Sequence, residues 1–437
     1  QSGSTLTLGG SGTAVTLACG ATQSGFGRSG SVNWQTGSLK TSTFTAVSGE
    51  GYFINSGSAI TVNLPAGSAG AIVAVSDYAR NFSTYNLTIT PNGTEKIAGV
   101  NGNAVLNTDG QAATLVYVDS TKGWINVQKA DNTIAGAEFI TATGGTITTS
   151  GDCKIHTFTG PGTFAVSQIS NTPAQNVLSY LVVAGGGSGG VLGGGGGGAG
   201  GFREIKNPAT PYTASPLDGY ATPANHITAT APTSFPVTIG GGGASSPTSP
   251  CAPGNTGSNS TFSTITSAGG GFGGGNKPAG DGANGGSGGG GNGGSTPQGG
   301  GTGNTPPTSP AQGRNGGGGT DSAPNKGAGG GGATAAGADG SGSSGQGGTG
   351  ATTSISASPT AYAGGGGGGS GGIPSNNCNG AGSSCGTGGA GGNGGSPQPT
   401  PGMAGDTNRG GGGGGGEQNE ASGPGGSGIV IIRYKFQ

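Results

Sequence analysis

Apolar and polar residues alternate along the first part of this chain, and further on the alternation gives way to glycine. Ile60, Val62 and Leu64 share one face; Leu87 and Ile89, then Leu115 and Tyr117, repeat the pattern. A denser apolar run stands at Ile72–Val75, and Trp124–Val127 alternates again. A period of two is the mark of a half-buried strand. Turn signals separate the runs at Pro65–Gly67, Pro91–Gly93, Thr108–Gly110 and Asp119–Gly123. Short strands at this spacing predict a small antiparallel β-sandwich or barrel over residues 31–130. Trp34, Tyr52, Phe53, Tyr117 and Trp124 are large enough to form its core, with stacking on sugars as the competing role.

The β pattern continues through residues 131–184, a strand-rich connector that opens the C-terminal domain. Ile140–Ser150 predicts a hairpin turning at Gly144–Gly145, and Lys154–Phe158 with Thr163–Val166 a second pair across Gly160–Gly162. Val177–Ala184 is almost continuously apolar, as a buried strand is. At the other end, residues 1–30 hold two short alternating runs, Thr5–Leu8 and Ala14–Ala18. Alone they bury too little to be stable, which predicts an attachment or oligomerisation segment.

Glycine changes the picture from residue 185 onward, where 87 of the 112 glycines lie. They come in bursts such as Gly193–Gly198, Gly364–Gly369 and Gly410–Gly416, separated by inserts rich in Ser, Thr, Asn and Pro. The strict three-residue period of collagen is missing. Composition alone reads as linker or disorder. Two apolar segments, Leu178–Ala184 and Ile429–Phe436, frame the tract and argue otherwise. They predict that the framing segments pair and that the glycine bursts fold between them. The ordered form open to such bursts is an extended helix of three residues per turn, rising ~3.1 Å per residue without internal hydrogen bonds. Its amides and carbonyls point outward and can pair with neighbouring helices. The expectation is thus an all-β chain whose residues 185–437 form packed polyglycine II helices framed by β-strands, with the inserts at the two ends of the bundle.

Only 7% of residues are charged and the net charge is −1, which argues against a nucleic-acid-binding face. No apolar run approaches the ~20 residues of a membrane-spanning helix. Five cysteines without C-x-x-C spacing and two distant histidines predict neither a metal site nor a cofactor. Cys378 and Cys385 enclose a short loop; a disulfide closing it and two free thiols are both open. Matches to phosphate-loop or serine-hydrolase motifs in the glycine tract lack the strand–turn–helix context such chemistry needs. Asp281, Asp321 and Asp339 fall outside any repeating calcium frame. No carboxylates cluster locally for glycoside cleavage. No catalytic residue is therefore assigned and the chain is expected not to be an enzyme. The aromatics of the inserts, Tyr212, Tyr220, His226, Phe235 and Tyr362, are the candidates for receptor binding. Packing over the ends of the bundle is the alternative.

Two parts of the chain resemble phage proteins. Residues 27–128, with GRSGSVNWQTGSLKTSTFTAV and TLVYVDSTKGWINV, resemble a module of tail-fibre and other virion proteins of tailed phages. Residues 139–437, with YLVVAGGGSGG, GGAGGFRE and the closing GGSGIVIIRYKF, resemble the glycine-rich domain at the C-termini of such fibres. The pattern is similar to receptor-binding adhesins whose glycine runs form a sandwich of polyglycine helices. The resemblance implies an extracellular tail-fibre or fibre-tip protein, homotrimeric and joined to other virion tail proteins. Its loops would contact a host cell-surface glycan or outer-membrane protein. A purely structural fibre or decoration protein, or an extracellular filament subunit, are the alternatives.

Overall fold

A computed structural model describes residues 32–128, 139–247, 252–276, 280–294, 298–320, 325–371, 379–392, 399–417 and 420–437. The segment 1–30 lies outside them. The chain divides into two units, Gln1–Ala137 and Glu138–Gln437. Among the described residues its regular structure is β, apart from two single 3-10 turns at Pro173–Asn176 and Pro223–Asn225, with no α-helix.

Among the described residues of the first unit nine strands form two facing sheets. They are β1 (Asn33–Trp34), β2 (Phe44–Thr45), β3 (Glu50–Ile54), β4 (Ile60–Asn63), β5 (Ile72–Asp77), β6 (Leu87–Thr90), β7 (Ala104–Leu106), β8 (Ala112–Asp119) and β9 (Gly123–Asn126). The sheet orders are β1-β3-β5-β8-β9 and β2-β4-β6-β7. The antiparallel expectation holds only for the last strands. The pairs β1/β3, β3/β5, β2/β4 and β4/β6 are parallel. The chain alternates between the sheets at each of the first six strands, so every strand returns to its own sheet in the same direction. The strand of the opposite sheet serves as the crossover that a parallel pair requires. Pro65–Gly67, read as a turn, is a corner of this coil: Gly67 N–H donates to Glu95 Oε1 at 2.7 Å. A Cβ there would lie 2.2 Å from the Tyr117 ring.

The coil closes on one core. Ile60, Val62, Leu64, Leu87, Ile89, Tyr52 and Trp124 are buried in it, and Tyr117 packs against it. Trp34 and Phe53 do not join that core. They stack on each other, with ring centroids 4.8 Å apart, and are half-buried.

The second unit is built on two five-stranded sheets. Its strands are β10 (Thr141–Thr143), β11 (Thr146–Ser150), β12 (Cys153–Phe158), β13 (Gly162–Gln168), β14 (Ser179–Val183), β15 (Phe202–Ile205), β16 (Thr233–Thr238), β17 (Ser260–Phe262), β18 (Ile265–Ser267), β19 (Ala351–Thr353), β20 (Thr360–Tyr362) and β21 (Ile429–Lys435). One sheet runs β10-β13-β16-β17-β18 and the other β11-β12-β21-β14-β15, while β19 and β20 form a separate hairpin. The hairpin expected at Gly144–Gly145 is instead a corner between sheets: β10 pairs with β13 and β11 with β12. Gly144 and Gly145 have φ of +113° and +63°. A Cβ on Gly144 would lie 2.0 Å from Thr163 O, so only glycine turns this corner.

The framing segments pair as expected. β21 lies between β12 and β14, with Val183 opposite Ile429 and Ser179 opposite Arg433. Both faces of this sheet are covered. Tyr180, Val182, Val430, Ile432 and Tyr434 meet Phe164, Phe235 and Phe262 of the other sheet. Leu181, Val183, Ile429 and Ile431 meet Ala199, Leu217, Ala333, Ile355 and Tyr362 on the opposite side. Burial on two faces is why β14 and β21 read as continuous apolar runs.

Between β14 and β21 the glycine bursts form a backbone-cored bundle, and residues 194–201 run through its middle. Gly195, Gly198 and Gly201 donate to Gly274, Gly271 and Ala268 of one neighbouring run. Gly196 and Ala199 donate to Ala328 and Gly331 of a second, and Gly194, Gly197 and Gly200 to Gly416, Gly413 and Gly410 of a third. Three further runs donate back: Gly187 to Gly198 O, Gly290 to Gly196 O and Gly366 to Gly197 O. Successive amides thus address three directions in rotation, the geometry of a three-residue-per-turn helix in a hexagonal array. Side chains have no room at the centre. A Cβ on Gly195, Gly196 or Gly197 would stand 1.9, 2.1 or 2.0 Å from the carbonyl oxygen of Gly290, Gly366 or Gly187.

At the rim, side chains replace missing neighbours. Asp281 Oδ1 accepts from Gly299 N–H at 2.7 Å while Gly282 N–H donates to Gly299 O. One helical turn on, Asn284 Oδ1 accepts from Thr302 N–H and Gly285 N–H donates to Thr302 O. Asp339 and Gly340 treat Gly318 in the same way. Each Asx-Gly pair therefore gives an outer helix one side-chain and one backbone bond, and satisfies amides that a buried core would have paired.

Candidate functional site

The bundle has one end continuous with the sheets, where residues 202, 268 and 428 pass into or out of strands, and a far end near Gly193. The inserts 206–232, 302–315 and 351–362 gather at the strand end. Asn225 Nδ2 donates to Ser309 O at 2.8 Å, Phe202 N–H donates to Gln312 O at 2.8 Å, and Ser354 N–H donates to Thr213 O at 2.9 Å.

Two buried charged residues hold these inserts to the sheet. Glu204, on β15, accepts from Ser215 N–H at 2.8 Å and from the Thr353 hydroxyl. Burial raises its carboxyl above the ordinary range, against the pull of those hydrogen bonds. Arg433, on β21, donates to Ile355 O at 3.2 Å and Pro211 O at 2.9 Å. Its guanidinium lies over the Tyr212 ring at 5.3 Å, a cation–π contact. Neither role is legible from the sequence, where a glutamate and an arginine in strands read as solvent-facing.

The five receptor candidates separate by burial. Phe235 lies in the sandwich core, 6.0 Å from Phe262 between ring centroids. Tyr362 lies in the core beneath the bundle, and burial pushes its phenol up. Tyr212 packs against that same core and donates to Ile205 O at 3.2 Å. Phe235 and Tyr362 are spent on packing, while Tyr212 is half-buried. Tyr220 and His226 stack at 4.7 Å, and the His226 Nε2 lies 2.8 Å from Tyr220 O. They are half-buried, and Tyr220 leans on the sandwich core. The structure brings the Tyr220–His226 pair together and separates it from Tyr362.

Cys378 lies outside the described residues, so its pairing with Cys385 does too. Cys385 is half-buried with its Sγ 3.1 Å from Ser383 Oγ and 3.3 Å from Thr387 Oγ1. Burial raises the thiol, but these hydroxyls and the amides of Thr387 and Gly350 outweigh it and bring it below its ordinary value. Among the described residues no three His, Cys, Asp or Glu side chains stand close enough to hold a metal ion. Nor is any helix long and apolar enough to cross a membrane.

An open groove of about 280 Å³ at the strand end is lined by Gly303, Asn304, Ala311, Gly313, Arg314, Asn315 and Ala336. Arg314 and Asn315 are exposed there. Sequence reasoning passed over both, although an arginine at the junction of an insert and a glycine burst is the signal that marks them. No curated protein matches the chain. A family model described as a glycine-rich domain matches residues 158–435, from the end of β12 to the end of β21 and well over half of the sequence, so the chain belongs to that glycine-rich domain family.

Proposed function

We propose that this chain is a non-enzymatic tail-fibre or fibre-tip protein of a tailed phage, which attaches the virion to the host cell surface through loops on its glycine bundle. The carrying observation is the saturated backbone array around residues 194–201. A core made of backbone fixes the scaffold independently of side chains and leaves the inserts and end loops free to differ. That division suits a recognition module, whose binding residues belong on loops held by a rigid frame. The partners in this reading are a host cell-surface glycan or outer-membrane protein, and other tail proteins of an extracellular, trimeric fibre.

Excess purified full-length chain should block adsorption of the parent phage to its host. Adsorption unchanged at saturating protein would sink the attachment reading. The burial of Phe235 and Tyr362 favours a second reading, a structural spacer. In that case the protein would be found along the fibre or shell of the particle and would not compete.

A further inference from the structure

We propose that the groove beside Arg314 binds the carboxylate or phosphate group of an acidic sugar. The backbone of Arg314 is locked into the bundle: its N–H donates to Gly332 O at 3.0 Å and its carbonyl accepts from Gly288 N–H at 3.0 Å. The side chain projects outward, and no acceptor among the described residues pairs with it. Of its neighbours, Asn315 leaves a donor at the groove and turns its acceptor away, while Asn304 Nδ2 donates within its own loop to Thr308 O at 3.3 Å. Asn315 Oδ1 is taken by Gly303 N–H at 2.9 Å, which leaves the Nδ2 amide free to donate. Asn304 Oδ1 is turned into its own loop, where it accepts from Thr308 N–H at 2.9 Å and Gln312 N–H at 3.1 Å.

The frame is rigid. Gln312 is fully buried and bridges Ala268 N–H and Pro306 O, both at 2.8 Å. A guanidinium fork carried on a held backbone, with an adjacent amide, matches the paired oxygens of a carboxylate or phosphate. Ala311 and Ala336 supply apolar walls against which the C–H face of a sugar ring can lie. The chain carries a net charge of −1, so an anion would be held by this local geometry and not by a general positive field. As a statement about ligand class this rests on the attachment reading; as a statement about the groove it does not.

Saturation-transfer NMR on the full chain, with glucuronate, glucose 6-phosphate and glucose as probes, tests it. At least one charged sugar should bind and glucose should not. Arg314→Gln should weaken that binding at least about tenfold, the scale of a charged hydrogen bond, and Arg314→Lys should retain part of it. Preference between the two charged probes identifies a carboxylate or a phosphate as the group held. Equal binding of glucose, undiminished binding by R314Q, or no binding of either charged sugar by the unaltered chain overturns the proposal. Adsorption competition separates the two ideas. R314Q that blocks adsorption while wild-type chain binds no charged sugar leaves attachment standing and removes the groove. Acid-sugar binding without competition does the reverse.

Discussion

Val183 stands directly opposite Ile429 in adjacent antiparallel strands, although the whole glycine bundle lies between them in the chain. The closing strand thus enters the middle of a sheet whose other members are all made earlier. Every residue of it from Ile429 to Tyr434 is buried. Ending the chain at Gly428 should therefore abolish the cooperative unfolding of the second unit, not merely loosen one edge. The milder Ile432→Ala, at a position fully buried against the sandwich core, should cost about 2–5 kcal/mol. Urea denaturation of the full chain measures both. A truncated chain that unfolds with the same midpoint and slope would refute the central role given to β21.

Gly197 and Gly241 differ only in what surrounds them. A Cβ on Gly197 would meet Gly187 O at 2.0 Å, whereas one on Gly241 would meet nothing within 4 Å. Neither glycine adopts a positive φ, so the comparison isolates space from backbone conformation. Gly197→Ala should destabilise by about 1–3 kcal/mol or more, because two backbones must part and break hydrogen bonds as they do. Gly241→Ala should be neutral or stabilise by about 0.4–1 kcal/mol through the unfolded state. Thermal unfolding of the two variants side by side decides the matter: equal shifts would mean that the bundle is not sterically closed at its centre.

That contrast also marks how far sequence carries. The pairing of the framing segments was legible because an apolar strand beyond a glycine tract has no other use. The helix type was legible because glycine-only runs have few ordered options. The parallel coil of the first unit was not, since Ile60, Val62 and Leu64 alternate identically in either direction and only distant partners choose it. Whether Tyr212, Phe235 and Tyr362 bind or pack was left open for a related reason: an aromatic in a polar insert looks the same whether it faces solvent or folds back on a sheet. Asp-Gly and Asn-Gly normally signal a turn, yet in this rim they extend the array, a use fixed only by the neighbouring helix.

His156 gives the second unit a dependence on acid. It is fully buried, with Nδ1–H donating to Gly144 O at 2.7 Å and Nε2 accepting from the Tyr434 hydroxyl at 3.1 Å. Burial, aided by the charge of Lys154, lowers its proton affinity in the folded state. The unfolded chain then binds the proton more readily, so stability is complete above the ordinary histidine value near pH ~6.5 and falls as pH drops below it. The slope approaches ~1.4 kcal/mol per pH unit once the unfolded histidine is fully protonated. Glu204, whose carboxyl is raised by burial, acts in the opposite sense. It is common to wild type and variant and cancels in their difference. Urea midpoints at pH 7.5 and 5.5 should show a larger acid loss in wild type than in His156→Gln. Parallel losses would remove His156 from the account.

The Asx-Gly rim makes the last prediction residue by residue. Asp339 Oδ1 holds Gly318 N–H at 2.7 Å, and the next residue's amide holds Gly318 O. Asp339→Ala leaves that second bond in place but hands the Gly318 amide to water. Because the site is exposed, the lost bond should cost no more than about 0.5–1.5 kcal/mol overall. The local effect should be sharper: hydrogen exchange at Gly318 should accelerate, while that at Gly197, which donates inside the array to Gly413 O, should stay unchanged. Asp339→Asn keeps an Oδ1 acceptor and should restore slow exchange. Asn284→Ala should do to Thr302 what Asp339→Ala does to Gly318, since the same pairing recurs there. Fast exchange at Gly318 in the unaltered chain would show instead that the rim is open without its side chains, and the array would then owe its order to the inner helices alone.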